Sequence, residues 1–488
     1  MLSLSCLINV RVAALLLVLS VGGWLAPSCS LAGEAINVGQ QTQVLADDYV
    51  VESMRGLVRR VNLLAKHPAN PVIRPDRPWE EGWAMPLTVF FDADEQLYRM
   101  WYRPGYGKFN LGYVTSSDGI SWDKPALGLV DYKGSRENNQ LALKTGPAWN
   151  GVLKDKRDPD PERRYKLFAY NRATNSNGWY LFVSPDGLNW KPHSDKPMLE
   201  GLADCHNFMG WDENIQRYVA YVRPDKPVRT IARTTSENLT DWTPIQSVLE
   251  PDEDDPPGTQ LYGMSVFPDR GVYYGLLWVY HPNSLTIDVQ LAFSRDGIAW
   301  QRMGRRHPIL SYGLPNQFDS HILIAMQPIL VGDELKVYYL AQSAPHAVVY
   351  PNEAYPPLKA PPPRTEQTWL KDRKGYTGLA TTLRDRFVSL DADSKPGEFV
   401  TKPFVLKGSQ IRLNADAKRG DIKVEVQDAD GKPLPGFIAG LTNRINTDSV
   451  RQEVSWRGKG ELASLKGCTV KLRFQLHYAR LYSFEVLP

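Results

Sequence analysis

The residues best suited to chemistry in this chain are acids placed just ahead of hydrophobic runs. Asp204 opens Asp204-Cys205-His206-Asn207 before Phe208-Met209-Gly210-Trp211, and Asp319 opens Asp319-Ser320-His321 before the run at 322–326. Glu80 and Glu81 stand between Trp79 and Trp83, and Asp155 precedes the run that begins at Arg164-Tyr165-Lys166. Two carboxylates whose surroundings push their proton affinities apart can serve as general acid and general base. At a glycosidic bond, one would protonate the leaving oxygen and the other act as base or nucleophile. We expect Asp204 and Asp319 to be the principal pair, with Glu80 and Asp155 assisting.

Around them, Trp83 offers a stacking wall and Arg103 a partner for a carboxylate or sulfate. His206, Asn207, Tyr262, His321 and His346 are expected to contact substrate. Plainer roles are open to several of these residues. Glu80 and Glu81 also read as an exposed acidic turn, Asp155 and Asp158 as a charged surface loop, and His321 and His346 as core or surface histidines. The acidic run Asp252-Glu253-Asp254-Asp255 before Pro256-Pro257 reads as a solvated loop. The fourth unit therefore offers Tyr262 and no obvious acid. His206, His321 and His346 lack any His-x-x-His spacing, so no metal site or cofactor is expected.

Acids so far apart in sequence need a scaffold that gathers them, and an internal repeat supplies one. Ser116-Ser117-Asp118-Gly119-Ile120-Ser121-Trp122 recurs as Ser184-Pro185-Asp186-Gly187-Leu188-Asn189-Trp190 and Ser294-Arg295-Asp296-Gly297-Ile298-Ala299-Trp300. A degenerate copy, Ser236-Glu237-Asn238-Leu239-Thr240-Asp241-Trp242, lies between them, and a fifth ends in Leu383-Arg384-Asp385-Arg386-Phe387. Each follows β-rich runs, so each unit reads as strand, loop, strand, Asp-Gly turn and a short outer strand carrying the Trp. Asp-Gly supplies the positive-φ turn. A small sheet of this kind cannot bury both faces alone, and radial stacking solves that. We expect an all-β chain: a five-bladed β-propeller over 33–390, then a β-sandwich over 391–488. The repeat acids are expected to be turn residues and the tryptophans to pack between blades.

Composition agrees with that class. The 488 residues carry 57 Lys+Arg against 54 Asp+Glu, a net charge of +3, so nucleic acid is not an expected partner. Aromatics at 11%, with 37 Gly and 37 Pro, describe a turn-rich β chain. Arg11, the apolar run to Ala26 and Ser30-Leu31-Ala32 read as a signal peptide over 1–32 cleaved near Ala32, giving an exported protein. Lipid attachment at Cys29 is the alternative. No later run reaches the length of a membrane-spanning helix. Cys205 and Cys468, in different domains, read as two separate buried side chains.

The Asp-Gly-x-x-Trp repeats, Asn70-Pro71-Val72-Ile73 with Pro78-Trp79-Glu80, and the C-terminal module resemble the five-bladed propeller glycoside hydrolases of families 32, 43, 68, 117 and 130. The likeness is strongest to exported bacterial family-32-like proteins and covers roughly residues 47–488. It implies a glycosidase acting on an oligo- or polysaccharide through carboxylates in the central funnel. Sialidases space Asp and Gly one residue further apart. The chain departs from family 32 in its first blade, where Trp83-Ala84-Met85-Pro86-Leu87-Thr88 holds no carboxylate, while Arg157-Asp158-Pro159 matches the family's second motif. That departure keeps a second class in view: a non-catalytic propeller that binds glycans or serves as a surface interaction scaffold.

Overall fold

Runs such as Val272–His281, buried along almost their whole length, need cover on both faces. The computed structural model supplies it by stacking five small sheets around an axis. It describes residues 35–38, 41–105, 111–143, 150–171, 178–200, 208–224, 228–346, 373–457 and 462–488. Every blade is an antiparallel meander. Blade one pairs Ala84–Asp92, Leu97–Pro104, Leu111–Ser116 and Gln140–Leu141. Blade two runs Asn150–Lys154, Tyr165–Asn171 and Gly178–Ser184, with two short edge strands. Blade three runs Phe208–Asp212, Arg217–Val222, Ile231–Ser236 and Gln246–Leu249. Blade four runs Gln260–Asp269, Val272–His281 and Thr286–Ser294, again with short edge strands. Blade five runs Ile322–Ala325, Glu334–Gln342 and Tyr376–Leu383. Its outermost strand, Ala65–Lys66, comes from ahead of blade one and so ties the two ends of the ring together.

All five seams carry side-chain hydrogen bonds. Trp101 Nε1 donates to Gly187 O at 2.9 Å, Tyr221 Oη to Gly297 O at 2.7 Å, and Tyr338 Oη to Gly119 O at 2.6 Å. These join blades one to two, three to four, and five back to one. Tyr218 Oη donates to Asp155 Oδ2 at 2.5 Å across the two–three seam, and Trp278 Nε1 to Ala325 O at 2.9 Å across the four–five seam. The repeat acids and tryptophans sit where the sequence expects them. Gly119, Gly187 and Gly297 turn with φ of 73°, 78° and 71°, and Trp122 and Trp300 pack edge-on to Tyr338 and Tyr221 of the preceding blade. On the axis lies a cavity of about 480 Å³ to which every blade contributes, including Thr88, Val152, Trp211, Ser265 and Pro328. It occupies the half of the channel where the inner strands end.

The second unit is a two-sheet sandwich around its own core, which includes Phe399, Phe474 and Phe484. It recruits more of the chain than residues 391–488. Gln43–Val44 pairs with Ala479–Leu487, Val58–Val61 with Val388–Ala392, and Val51–Arg55 with Gly397–Thr401. The early strands, which the sequence reading placed in the propeller, therefore belong to the sandwich, and the chain enters the ring only at Ala65. Cys468 is disulfide-bonded, which corrects the expectation of a separate thiol; the other cysteines lie outside the described residues.

Candidate active site at the propeller mouth

Inner strands begin, and second strands end, at one face of the ring. Residues just outside those strand ends form its mouth. At the blade one–five junction, Trp83 is 2% exposed and bridges to Gly375, where a side chain on residue 375 would collide with the indole. The Arg373 guanidinium lies 5.8 Å from the same ring, and its Nε donates to Gln342 Oε1 at 2.8 Å. Arg103 lies next to the end of blade one's second strand, Leu97–Pro104, and is buried. At the blade three–four junction, Arg223 and Arg229 flank the Tyr262 ring at 5.0 and 5.3 Å. Tyr262 in turn meets His346, ring to ring at 5.2 Å, with His346 Nε2 and Tyr262 Oη 3.2 Å apart. Tyr280 closes on His346 from the other side at 5.0 Å.

The structure thus brings Tyr262 and His346 together, and Trp83 and Arg103 to the same mouth. His321 sits at the blade four–five seam. Its backbone links Ile287 and Gln342, and its Nδ1 lies 2.9 Å from Ser320 Oγ. Asp204, His206 and Asn207 lie outside the described residues.

Three expected acids are placed elsewhere. Glu80 is 0% exposed and ties a short helical turn to blade one. It accepts from the backbone N–H of Asp76 and Arg77, from Tyr102 Oη at 2.7 Å and from Lys124 at 2.7 Å. Burial, with the Glu80 charge beside it, pushes the Tyr102 phenol far above its ordinary range. Asp155 falls at the opposite end of the channel, because the short run Asn150–Lys154 ahead of it is itself the inner strand of blade two. There it accepts from Tyr218 and pairs with Arg157 at 2.8 Å, while Arg157 lies over Trp211 at 4.0 Å. Asp158, of the Arg-Asp-Pro match, pairs with buried Lys166 at 2.7 Å. Asp319 is 2% exposed and forms an ion pair of 2.5 Å with Lys66 on the outermost strand of its blade.

One acid at the mouth was not singled out from sequence. Asp288 lies just past the hairpin that joins Val272–His281 to Thr286–Ser294, 5% exposed, with Oδ2 2.8 Å from His281 Nε2. Its only sequence signal was a charged residue inside the apolar run 287–293, which is a mark of a partnered buried acid.

No family model matches the chain, and no curated protein matches it. Solved structures of similar fold include an N-acetylgalactosamine deacetylase from F. plautii, 16% identical, with a TM-score of 0.40 over 71% of this chain and 96% of that one. A fructofuranosidase from Schwanniomyces occidentalis is 11% identical, with a TM-score of 0.41 over 88% and 98%. A glycosyl hydrolase from Bacteroides ovatus is 13% identical, with a TM-score of 0.44 over 71% and 98%. Likenesses this distant carry no functional weight. The five-bladed ring rests on the strand pairing and the five seams.

Proposed function

We propose that the protein is an exported glycoside hydrolase-like enzyme that takes an oligo- or polysaccharide at the propeller mouth. The observation that supports this best is the convergence of Trp83, Arg103, Arg223, Tyr262, Tyr280 and His346, drawn from four blades, on that one face. The partly exposed Tyr262 and His346 rings, with the Arg223 and Arg229 guanidinium groups beside Tyr262, suit a ligand with apolar ring faces and polar edges. In this reading Asp204, placed by sequence just ahead of blade three's inner strand, is the acid or base nearest the chemistry. Asp319, Glu80 and Asp155 hold the scaffold. Cleavage near Ala32 and export belong to the same proposal. Among the described residues, no helix is long and apolar enough to cross a membrane.

The test is turnover of a panel of p-nitrophenyl glycosides and of neutral and acidic polysaccharides, read as nitrophenol or new reducing ends. Asp204→Ala should lower turnover at least about 100-fold, since removing a general acid or base typically costs that much. Near-normal turnover in that variant ends the assignment. The burial of Glu80, Asp155 and Asp319 in ion pairs and hydrogen bonds favours a second reading, a non-catalytic glycan-binding propeller. Saturable binding of a polysaccharide without release of reducing ends would select it.

A further inference from the structure

Blade four offered no acid ahead of its inner strand, yet the structure gives it a carboxylate–imidazole pair on the hairpin above. Asp288 is enclosed, and one of its oxygens, Oδ1, is buried with no hydrogen-bond donor among the described residues. Among the described residues, the side-chain hydrogen-bond partner of Asp288 is His281, whose Nε2 lies 2.8 Å from Oδ2. A carboxylate oxygen accepts, so a neutral His281 ring facing Oδ2 through Nε2 carries its one hydrogen there and presents Nδ1 as an acceptor. The imidazole is not enclosed: about a quarter of the His281 side chain, 26%, meets solvent. The hairpin is also wired to the mouth. Tyr280, the neighbour of His281, packs at a tilt against His346, and the backbone N–H of His346 donates to Leu285 O at 2.7 Å.

We propose that His281 is a proton acceptor at the mouth and that Asp288 is its positioning residue. This rests on the glycan-acting reading above and adds a base to it. A water beside the bound saccharide gives its proton to His281 Nδ1 as its oxygen bonds to the anomeric carbon. The glycosidic C–O bond breaks, its electron pair goes to the leaving oxygen, and that oxygen takes a proton from the acid, Asp204 in the reading above. The imidazolium, facing the Asp288 carboxylate, then gives its proton to solvent, and the acid is reprotonated from solvent.

Two measurements on the full chain test this. Nitrogen-15 spectra of histidine-labelled protein should show neutral His281 with hydrogen on Nε2, and Asp288→Leu should scramble that tautomer. Hydrogen on Nδ1 in the wild type overturns the pairing. On whichever p-nitrophenyl glycoside the wild type cleaves, His281→Ala should lose at least about 100-fold in kcat with little change in KM. Added imidazole should restore part of that rate, which a merely structural histidine would not allow. Asp288→Leu should lose about 10- to 100-fold and gain nothing from imidazole. Normal kcat in His281→Ala, beside an active wild type, sinks this inference alone. A wild type inert on every glycoside sinks the glycosidase reading and the role of the pair with it.

Discussion

Asp118, Asp186 and Asp296 show how one residue type at one spacing can be read with a definite role. In each turn the Ser hydroxyl accepts the Gly N–H and donates to the Asp, as Ser116 does at 2.8 Å in both bonds. The carboxylate then caps the next two backbone N–H groups, Ile120 and Ser121, at 2.7 and 2.8 Å. Burial works against ionisation, but these donors outweigh it and hold Asp118 down to about 2; Asp186 and Asp296 are lowered in the same way. The folded value lies below the unfolded one of about 4, so the contribution is complete above pH ~4 and is lost as pH falls toward 2. Melting temperature followed from neutral pH to pH ~2 should drop less steeply in Asp118→Asn than in the wild type. Equal slopes would remove the turn acids from the acid response. The degenerate copy keeps the geometry by other means: Asn238 Oδ1 accepts the Thr240 and Asp241 N–H groups at 2.9 Å each. Leu239 adopts φ of 70° while burying its side chain to 1%.

Among elements, what could be seen from sequence was whatever a local signal marks. The Asp-Gly turns and tryptophans marked the outer halves of blades one, two and four, degenerate copies marked blades three and five, and the long second strands stood out as runs buried on both faces. Inner strands were harder to place, because a stretch as short as Asn150–Lys154 carries no turn signal of its own; missing it put Asp155 at the wrong end of the channel. The pairings of Ala65–Lys66 with blade five and of Gln43–Val44 with the last strand are contacts between distant parts of the chain, which no periodicity encodes. Asp319 is the clearest consequence. Its position ahead of Ile322–Ala325 is that of a funnel acid, but the outer strand brings Lys66 against it, and Asn70 and Tyr339 complete the surroundings. Breaking such a pair leaves a buried charge uncompensated, so Lys66→Met should cost about 3–5 kcal/mol in denaturant unfolding. Adding Asp319→Leu should return most of that loss, because removing both charges is often nearly neutral. A double variant as unstable as the single one would mean that Asp319 is held by something other than Lys66.

At the scale of the whole molecule, the sandwich docks on the face opposite the mouth, through turns of blades four and five. Arg451 reaches Asp333 at 2.5 Å, Arg295 reaches Asp47 at 2.6 Å, and Arg270 reaches Glu485 at 3.7 Å. Arg386 is the centre of the contact. It is 8% exposed, pairs with Asp448 at 2.7 Å, donates to Asn414 at 2.9 Å and lies over Tyr482 at 4.5 Å. The chain visits the sandwich twice, since strands 43–61 precede the ring that opens at Ala65 and the remaining strands follow it. The sandwich is therefore not whole without strands from both sides of the propeller, and a hinge between the units would have to break these charge pairs. Calorimetry should show one cooperative transition for the full chain. Arg386→Ala should lower its midpoint by an amount equivalent to about 1–3 kcal/mol, since it removes the donor to Asn414 and opens packing on Tyr482, while Asp448 keeps Lys418 at 3.0 Å. Two resolved transitions in the wild type, or an Arg386→Ala variant in which only the sandwich melts earlier, would show the units to be independent. The mouth should also respond to the outcome. If the two units melt as one, glycan bound at the far face should raise the single midpoint and protect the sandwich strands from hydrogen exchange as fully as it protects the blades.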